Sequence, residues 1–462
     1  MILDSIEISN FRSIEALRVE PKELKDGSRT FALIGVNEAG KSSILKAIAL
    51  KDNRIEITTK DYKNPDEEIT ICFNYKITKD DKDWLHAIKF EPTEENQDID
   101  WTDLSYTLIY KPNDSKQYLN ITIRQAGTLA EETIKESDLS QSNFHNTIYW
   151  SSDDRFLISK PIPLSQFAND TNLSIPLKNC FALAGYEDIP SAIKKGLSDL
   201  PEKTLLQDNL SEATTNHIKQ VWPEHPIDIR FEIDNGTINF LVRDNGVKKP
   251  KTTDQRSDGF RQFISFLLTV SAEDKGGFLC NKILLLDEPE THLHPQAQIN
   301  LLEDLKRITS NDRNNLVFFA THSSFMIDTD HLERNYRISK EQDTTKILQL
   351  KEDQFTYARI MYEVFEIPSK DYHSELYTAL HSKFLDEEAE SNRPYNRNIK
   401  HFDQQFFNGK HKFKNEYPYD GQKNTATLPT YIRNCINHPS GDSYNYEDLI
   451  DSIEGMRNIL GL

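Results

Sequence analysis

The chain has 462 residues, 37% of them hydrophobic and 28% charged, a polar globular balance that excludes a disordered protein and leaves room for two or three domains. Its formal net charge of −19 argues against a protein that coats nucleic acid without specificity, because neutralising phosphates needs surplus cations. No apolar run reaches bilayer length, residues 1–10 alternate like a strand rather than a signal peptide, and Cys72, Cys180, Cys280 and Cys435 have no metal-ligand spacing. The expectation is a cytoplasmic protein with reduced thiols and no membrane contact.

In chain order, residues 1–14 predict a strand and a turn, and residues 30–34 a second strand running into Gly35. A helix should follow through Ile44, Leu45 and Ile48. Alternating runs at 68–77, 105–110 and 119–124, separated by turn residues such as Asn113-Asp114, predict an antiparallel meander. Residues 130–225 read as mixed, helical in their later half, without the heptads of a long coiled coil. Asn235-Gly236 predicts a hairpin between 227–233 and 237–242. A helix at 260–272, a buried strand at 283–286, a helix from Pro295 and an apolar strand at 316–320 follow. After about residue 355 the chain is rich in Tyr, Phe and charge, and reads as a separate, mostly helical unit.

Three stretches carry chemistry. Gly35-Val36-Asn37-Glu38-Ala39-Gly40-Lys41-Ser42 fits G-x-x-x-x-G-K-[ST] between an expected strand and an expected helix. Its backbone amides can cradle phosphate oxygens, Lys41 supplies a cation to the β- and γ-phosphates, and Ser42 offers a hydroxyl to Mg²⁺. Lys282-Ile283-Leu284-Leu285-Leu286 ends in Asp287 and Glu288. A strand buried on both faces exposes charge only at its C-terminal edge, where ligands bind in parallel sheets. Asp287 is the candidate metal ligand and Glu288 the group that polarises an attacking water. His322 follows the next apolar strand, in the place of a γ-phosphate sensor.

Together these residues resemble the ABC ATPase superfamily, and more closely its SMC-like and OLD-type branch. The likeness rests on Asn10-Phe11-Arg12-Ser13, the loop Gly35 to Ser43 read as Gly-x-Asn-x-x-Gly-Lys-Ser-Ser, Asp287-Glu288-Pro289-Glu290-Thr291-His292-Leu293-His294-Pro295, and Thr321-His322-Ser323. It covers residues 1–75 and 225–345. It implies an α/β P-loop ATPase head over 1–350, split by an insertion at about 76–225 and carrying an antiparallel meander, followed by a mostly α-helical domain at 351–462. ATP and Mg²⁺ are the implied cofactors, with Gly35, Asn37, Glu38, Ala39, Gly40, Lys41, Ser42 and Ser43 around the nucleotide, Ser42 and Asp287 on the metal, and Glu288, His322 and Lys41 in hydrolysis. The resemblance further implies a head-to-head dimer or larger homo-oligomer. In it Ser257 and Gly259, ahead of a helix, would complete the partner's pocket, and Arg12 would lie near the nucleotide. Asp61 is a candidate for the loop that usually bears a glutamine. The transporter branch does not fit, because Lys41 and Ser257 stand too far apart in the chain.

ATPases of this branch serve bacterial anti-phage systems such as Septu and PARIS, so the resemblance implies a regulator of a nuclease effector. No Toprim pattern is legible; Asp386-Glu387-Glu388-Ala389-Glu390 reads as a solvated helix end. Arg433-Asn434 and His438, followed by a helix at 446–460, resemble the last two helices of HEPN domains, and on a helix Arg433 and His438 would lie near one face. That gives an alternative, an ATP-gated HEPN-type ribonuclease in which they cleave RNA. Cations interleaved with aromatics at 397–414 (Lys400, Phe402, Phe406, Phe407, Lys410) suit RNA or another single strand. A further alternative, an SMC-like DNA-maintenance ATPase, requires coiled-coil arms or a basic groove, and neither is legible.

Overall fold

The computed structural model spans Met1–Leu462 and describes all of it except residues 53–56, 82–100, 113, 115, 126–130, 135–143, 159, 222–226, 245, 256–260, 262–263, 267, 270–278, 311–312, 352–354, 391–397, 420–423 and 439–442. It divides into Met1–Leu350 and Lys351–Leu462.

The first unit opens with the hairpin β1 (Ile2–Phe11) and β2 (Ile14–Val19). Ile6 and Ile8 are buried on one face of β1, as the two-residue period of a strand requires. The run β3 (Thr30–Ile34) is buried at every position and leads through the P-loop into α1 (Lys41–Ala49). The alternating segments β4 (Ile69–Lys76), β5 (Asp103–Tyr110), β6 (Gln117–Arg124) and β7 (Glu131–Thr133) extend the hairpin into an antiparallel meander of order β2-β1-β4-β5-β6-β7.

Then comes β8 (Asn146–Ser151), buried at every position after Asn146. A lobe with its own core follows: β9 (Ile162–Pro163), α2 (Leu164–Asn169), α3 (Ile175–Leu183), α4 (Ile189–Gly196), α5 (Leu200–Val221), the hairpin β10 (Ile227–Asp234) and β11 (Thr237–Asp244), and β12 (Lys251–Thr252). Asn235 and Gly236 both take positive φ, 46° and 73°, which a two-residue hairpin turn demands. β10 is an edge strand, and α5 seals it. Gln207, Ser211 and Thr215, spaced by four along one helix face, accept hydrogen bonds from the backbone N–H groups of Ile233, Phe231 and Ile229 at 2.9, 2.9 and 2.8 Å. α5 is the longest helix among the described residues.

The chain then returns to the central sheet with β13 (Lys282–Asp287), α6 (Pro295–Thr309), β14 (Leu316–Thr321) and the hairpin β15 (Asn335–Glu341) and β16 (Thr344–Gln349). The order is β16-β15-β3-β14-β13-β8. Every pair from β15 to β8 is parallel, and only β16 runs against its neighbour. The C-terminal edges of β3, β14, β13 and β8 therefore lie on one side, where the P-loop, His322, Asp287 and Ser151 emerge. The segment between the two sequence halves is more than an insertion: it lends β8 to this sheet, because a strand buried on both faces must pair inside it.

In the second unit, α7 (Tyr357–Phe365), α8 (Lys370–Glu390), α9 (Ile399–Phe402), the hairpin β17 (Asn415–Tyr419) and β18 (Asn424–Thr427), α10 (Leu428–Asn437) and α11 (Tyr446–Leu460) surround an aromatic core. α9 passes directly into a π-helix over Asp403–Lys410. The aromatics whose pattern suits stacking on nucleic acid are instead part of that core: Phe402, Phe406 and Phe407 are at most 1% exposed, and the Phe402 and Phe406 rings stack at 5.1 Å. The neighbouring cations are also engaged. Lys400 reaches Asn424, His401 meets Glu388, and Lys410 pairs with Glu387. Glu388 is itself buried, so the acidic end of α8 is not simply solvated. Among the described residues no helix is long and apolar enough to cross a membrane. The α/β class, with a meander, a helical lobe and a mostly helical C-terminal unit, matches the architecture expected from the sequence.

Candidate nucleotide site

β3 ends at the sheet edge and hands the chain to the P-loop. Asn37 and Glu38 stand exposed at its tip, Ala39 is buried, and Ser43 is half-buried. Gly40 is the N-cap of α1, with φ 108°, and no side chain caps the helix and no acid lies in its first turn. The first amides of α1 and the positive end of its dipole are thus left for an external anion.

Lys41 is only 4% exposed. Its ammonium donates to the carbonyls of Gly35 and Val36 at 2.8 and 2.9 Å and lies 3.3 Å from His322 Nδ1. Burial pulls its pKa down to about 8, against the opposing pull of Glu288, Asp287 and Glu290. A buried ammonium held by neutral carbonyls is short of counter-charge, which phosphate oxygens would supply.

Ser42 Oγ donates to Asp287 Oδ1 at 2.8 Å, and Tyr149 Oη donates to Asp287 Oδ2 at 3.3 Å. Burial raises the Asp287 pKa. Two hard oxygens side by side suit Mg²⁺, which takes few protein ligands and completes its shell with water and phosphate oxygens. No cluster of three His, Cys, Asp or Glu that could cage a metal occurs among the described residues.

Glu288 sits in the left-handed region at φ 54°, an uncommon conformation for a non-glycine residue that clusters at functional sites. Its N–H donates to Ala320 O at 3.1 Å, fastening the end of β13 to β14. Its carboxylate Oε1 lies 3.0 Å from His322 Nε2. That hydrogen bond is the main reason its pKa is lowered, with the charge of Lys41 adding to it. The network assigns the imidazole one arrangement: Nε2–H donates to Glu288 and Nδ1 accepts from Lys41. Lys41, His322 and Glu288 thus form one hydrogen-bonded line across the site.

Two contributors were not read from the sequence. Tyr149, 4% exposed, comes from β8, whose apolar run carries no motif. Glu290, also 4% exposed, accepts from the Thr321 hydroxyl and from the His322 N–H, and so fixes the backbone that presents the imidazole. Burial raises its pKa. Its place two residues after Glu288 was the available signal.

Asp61 accepts from Arg12 Nε at 2.7 Å and from the backbone N–H and hydroxyl of Thr58 at 2.8 Å, so its carboxylate is already committed, whereas Tyr149 donates to Asp287. Arg12 is held in this ion pair at φ 53°. Ser257 and Gly259 lie outside the described residues. In the second unit Arg433 donates to Asn434 Oδ1 at 2.9 Å. α10 ends at Asn437, and His438 is its C-cap, at φ −133° and ψ 80°, with its N–H donating to Asn434 O at 2.8 Å.

The family model described as AAA ATPase domain matches residues 1–327. An uncharacterized protein of Methanocaldococcus jannaschii is 28% identical over 123 residues, covering 25% of this chain and 31% of that protein. The Old nuclease of Escherichia phage P2 is 23% identical over 385 residues, covering 74% of this chain and 60% of the nuclease. The chain thus spans less than two thirds of the length of either relative. Among solved structures, the SMC head bound to the C-winged helix domain of ScpA matches with a TM-score of 0.44 at 13% identity, over 76% of this chain and 98% of that one.

Proposed function

The chain belongs to the AAA ATPase domain family, and from that premise we propose that its first unit binds and hydrolyses ATP with Mg²⁺ as the control element of a nuclease in anti-phage defence. The observation that carries the hydrolytic reading is the line Lys41–His322–Glu288 beside the Ser42–Asp287 pair. Phosphoryl transfer asks mainly for positioning and charge stabilisation. Lys41 and the first amides of α1 hold the phosphates. Ser42 and Asp287 would hold Mg²⁺, which would supply positive charge to offset that of the phosphates. Glu288, ionised, takes the hydrogen bond of the attacking water. His322 holds the Glu288 carboxylate, and Glu290 holds His322.

Control of a nuclease is supported by the likeness to the Old nuclease over 74% of this chain. A homodimer or larger homo-oligomer is the assembly that would bring Ser257 and Gly259 of one copy to the other's nucleotide. The effector is a separate partner protein. The test is to incubate the purified chain with ATP, Mg²⁺ and either total RNA or plasmid DNA, alone and with the product of any neighbouring nuclease gene. The reading expects cleavage only with the partner present, and altered by Lys41→Ala. Cleavage by the chain alone that is lost in both Arg433→Ala and His438→Ala would replace the partner with the ribonuclease alternative.

A further inference from the structure

The β15–β16 hairpin packs closely against the P-loop at both of its glycines. A Cβ built on Gly35 would stand 2.3 Å from the Ile338 carbonyl oxygen of β15. One built on Gly40 would stand 2.2 Å from Thr345 Oγ1 and 2.9 Å from its Cγ2, on β16. Both approaches are far inside contact distance, so the loop's glycines are required by the hairpin as well as by any ligand. Gly40 also carries φ 108°.

Thr345 is the point where this grip becomes specific. It is 1% exposed. Its hydroxyl donates to Ala39 O at 3.2 Å and shares a 2.7 Å hydrogen bond with Ser13 Oγ, while its backbone N–H donates to Ser13 O at 2.8 Å. Because the Thr345 hydroxyl has one proton and gives it to the Ala39 carbonyl, Ser13 is the donor in the Ser13–Thr345 pair. The result is a directed chain, Ser13 to Thr345 to Ala39, ending on the peptide that joins Ala39 to Gly40. That peptide sets the direction of the Gly40 N–H and the start of α1. Ser13 lies in the tight turn between β1 and β2, so the turn, the hairpin and the P-loop are locked through one hydroxyl.

We infer that Thr345 is a positioning residue for nucleotide binding. Its hydroxyl fixes the Ala39–Gly40 peptide so that the amides at the head of α1 are aimed before the phosphates arrive. This rests on the reading of the first unit as an ATP site. A buried polar link of this kind matters mostly through what is left behind when it goes. Thr345→Val keeps the shape and removes the link, stranding the Ala39 carbonyl and the Ser13 hydroxyl, whereas Thr345→Ser keeps the hydroxyl.

The test is equilibrium titration of wild type, Thr345→Val, Thr345→Ser and Ser13→Ala with a fluorescent ATP analogue and Mg²⁺, below the melting transition of each, together with steady-state ATP turnover. The expectation is a Kd raised about tenfold or more in Thr345→Val, a smaller rise of about threefold in Ser13→Ala, and Thr345→Ser within about twofold of wild type. Turnover at saturating ATP should fall far less than affinity. An unchanged Kd in Thr345→Val overturns the inference, as does equal damage in Thr345→Ser, which would mean that packing alone matters. If Thr345→Val does not fold, an unchanged Kd in Ser13→Ala overturns it. Failure of wild type to bind the analogue would instead sink the reading of the site itself.

Discussion

His322 Nε2 lies 3.0 Å from Glu288 Oε1, and the same imidazole faces Lys41 Nζ through Nδ1 at 3.3 Å. The histidine thus joins the cation that would hold phosphate to the carboxylate that would activate water. Because its hydrogen bond is the largest cause lowering the Glu288 pKa, removing it has a directional consequence. In His322→Ala, Glu288 loses that stabilisation and protonates at higher pH, so the acidic limb of the kcat–pH profile moves toward higher pH. A limb that stays in place would separate His322 from the base.

Lys41 couples stability against function. Its pKa falls to about 8 because burial disfavours the ammonium. Between about 8 and the ordinary lysine value, the unfolded chain binds more protons than the folded one, so the charge at Lys41 makes stability rise with pH through that window. Below it, the folded state carries the full cost of the buried charge. Lys41→Met should therefore stabilise the nucleotide-free protein at pH 7 by on the order of 1 kcal/mol, the relief of the buried charge being partly offset by the Gly35 and Val36 carbonyls left without a donor, while abolishing ATP binding. Urea denaturation with and without the substitution checks both the sign and the pH window. Wild-type ATP affinity should weaken as pH passes above about 8.

Tyr149 reaches Asp287 from a strand that the motif pattern does not include. Tyr149→Phe removes only the hydroxyl. It should raise the Mg²⁺ concentration needed for half-maximal turnover by about threefold to tenfold, the effect of losing one modest hydrogen bond. Turnover should recover at saturating Mg²⁺. Mn²⁺ binding followed by electron paramagnetic resonance should weaken in parallel.

The lobe offers a test independent of ATP. Ser211 Oγ accepts from the N–H of Phe231 on the β10 edge, and Phe231 is buried. Ser211→Val leaves that amide without a partner, at a cost of about 1–3 kcal/mol. Its melting temperature should drop while the Kd for ATP stays unchanged.

The parts of the site that are legible in the sequence are those whose chemistry sits beside its own structural punctuation. Gly40-Lys41-Ser42 follows a strand and opens a helix, and Asp287 and His322 each close an apolar run, so parallel pairing alone carries them to one edge. The meander is legible because its strands alternate. Tyr149 is not: Thr147-Ile148-Tyr149-Trp150 reads as any buried strand, and nothing local says that it pairs with β13. Phe402, Phe406 and Phe407 mislead for a related reason. They sit among cations, and it is the wider turn of the π-helix over Asp403–Lys410 that accompanies their burial together. Asn437 ending α10 one residue before His438 is a boundary that a helical pattern does not fix to the residue.

The central claim is that Glu288 serves hydrolysis in a site that Lys41 and Ser42 build for ATP and Mg²⁺. The direct measurement is ATP binding and turnover in Glu288→Gln beside wild type at the same Mg²⁺ concentration. The account predicts a Kd within about threefold of wild type and a kcat lower by about two to four orders of magnitude, the contribution of a positioned base. Turnover preserved in Glu288→Gln, with ATP still bound, would contradict it.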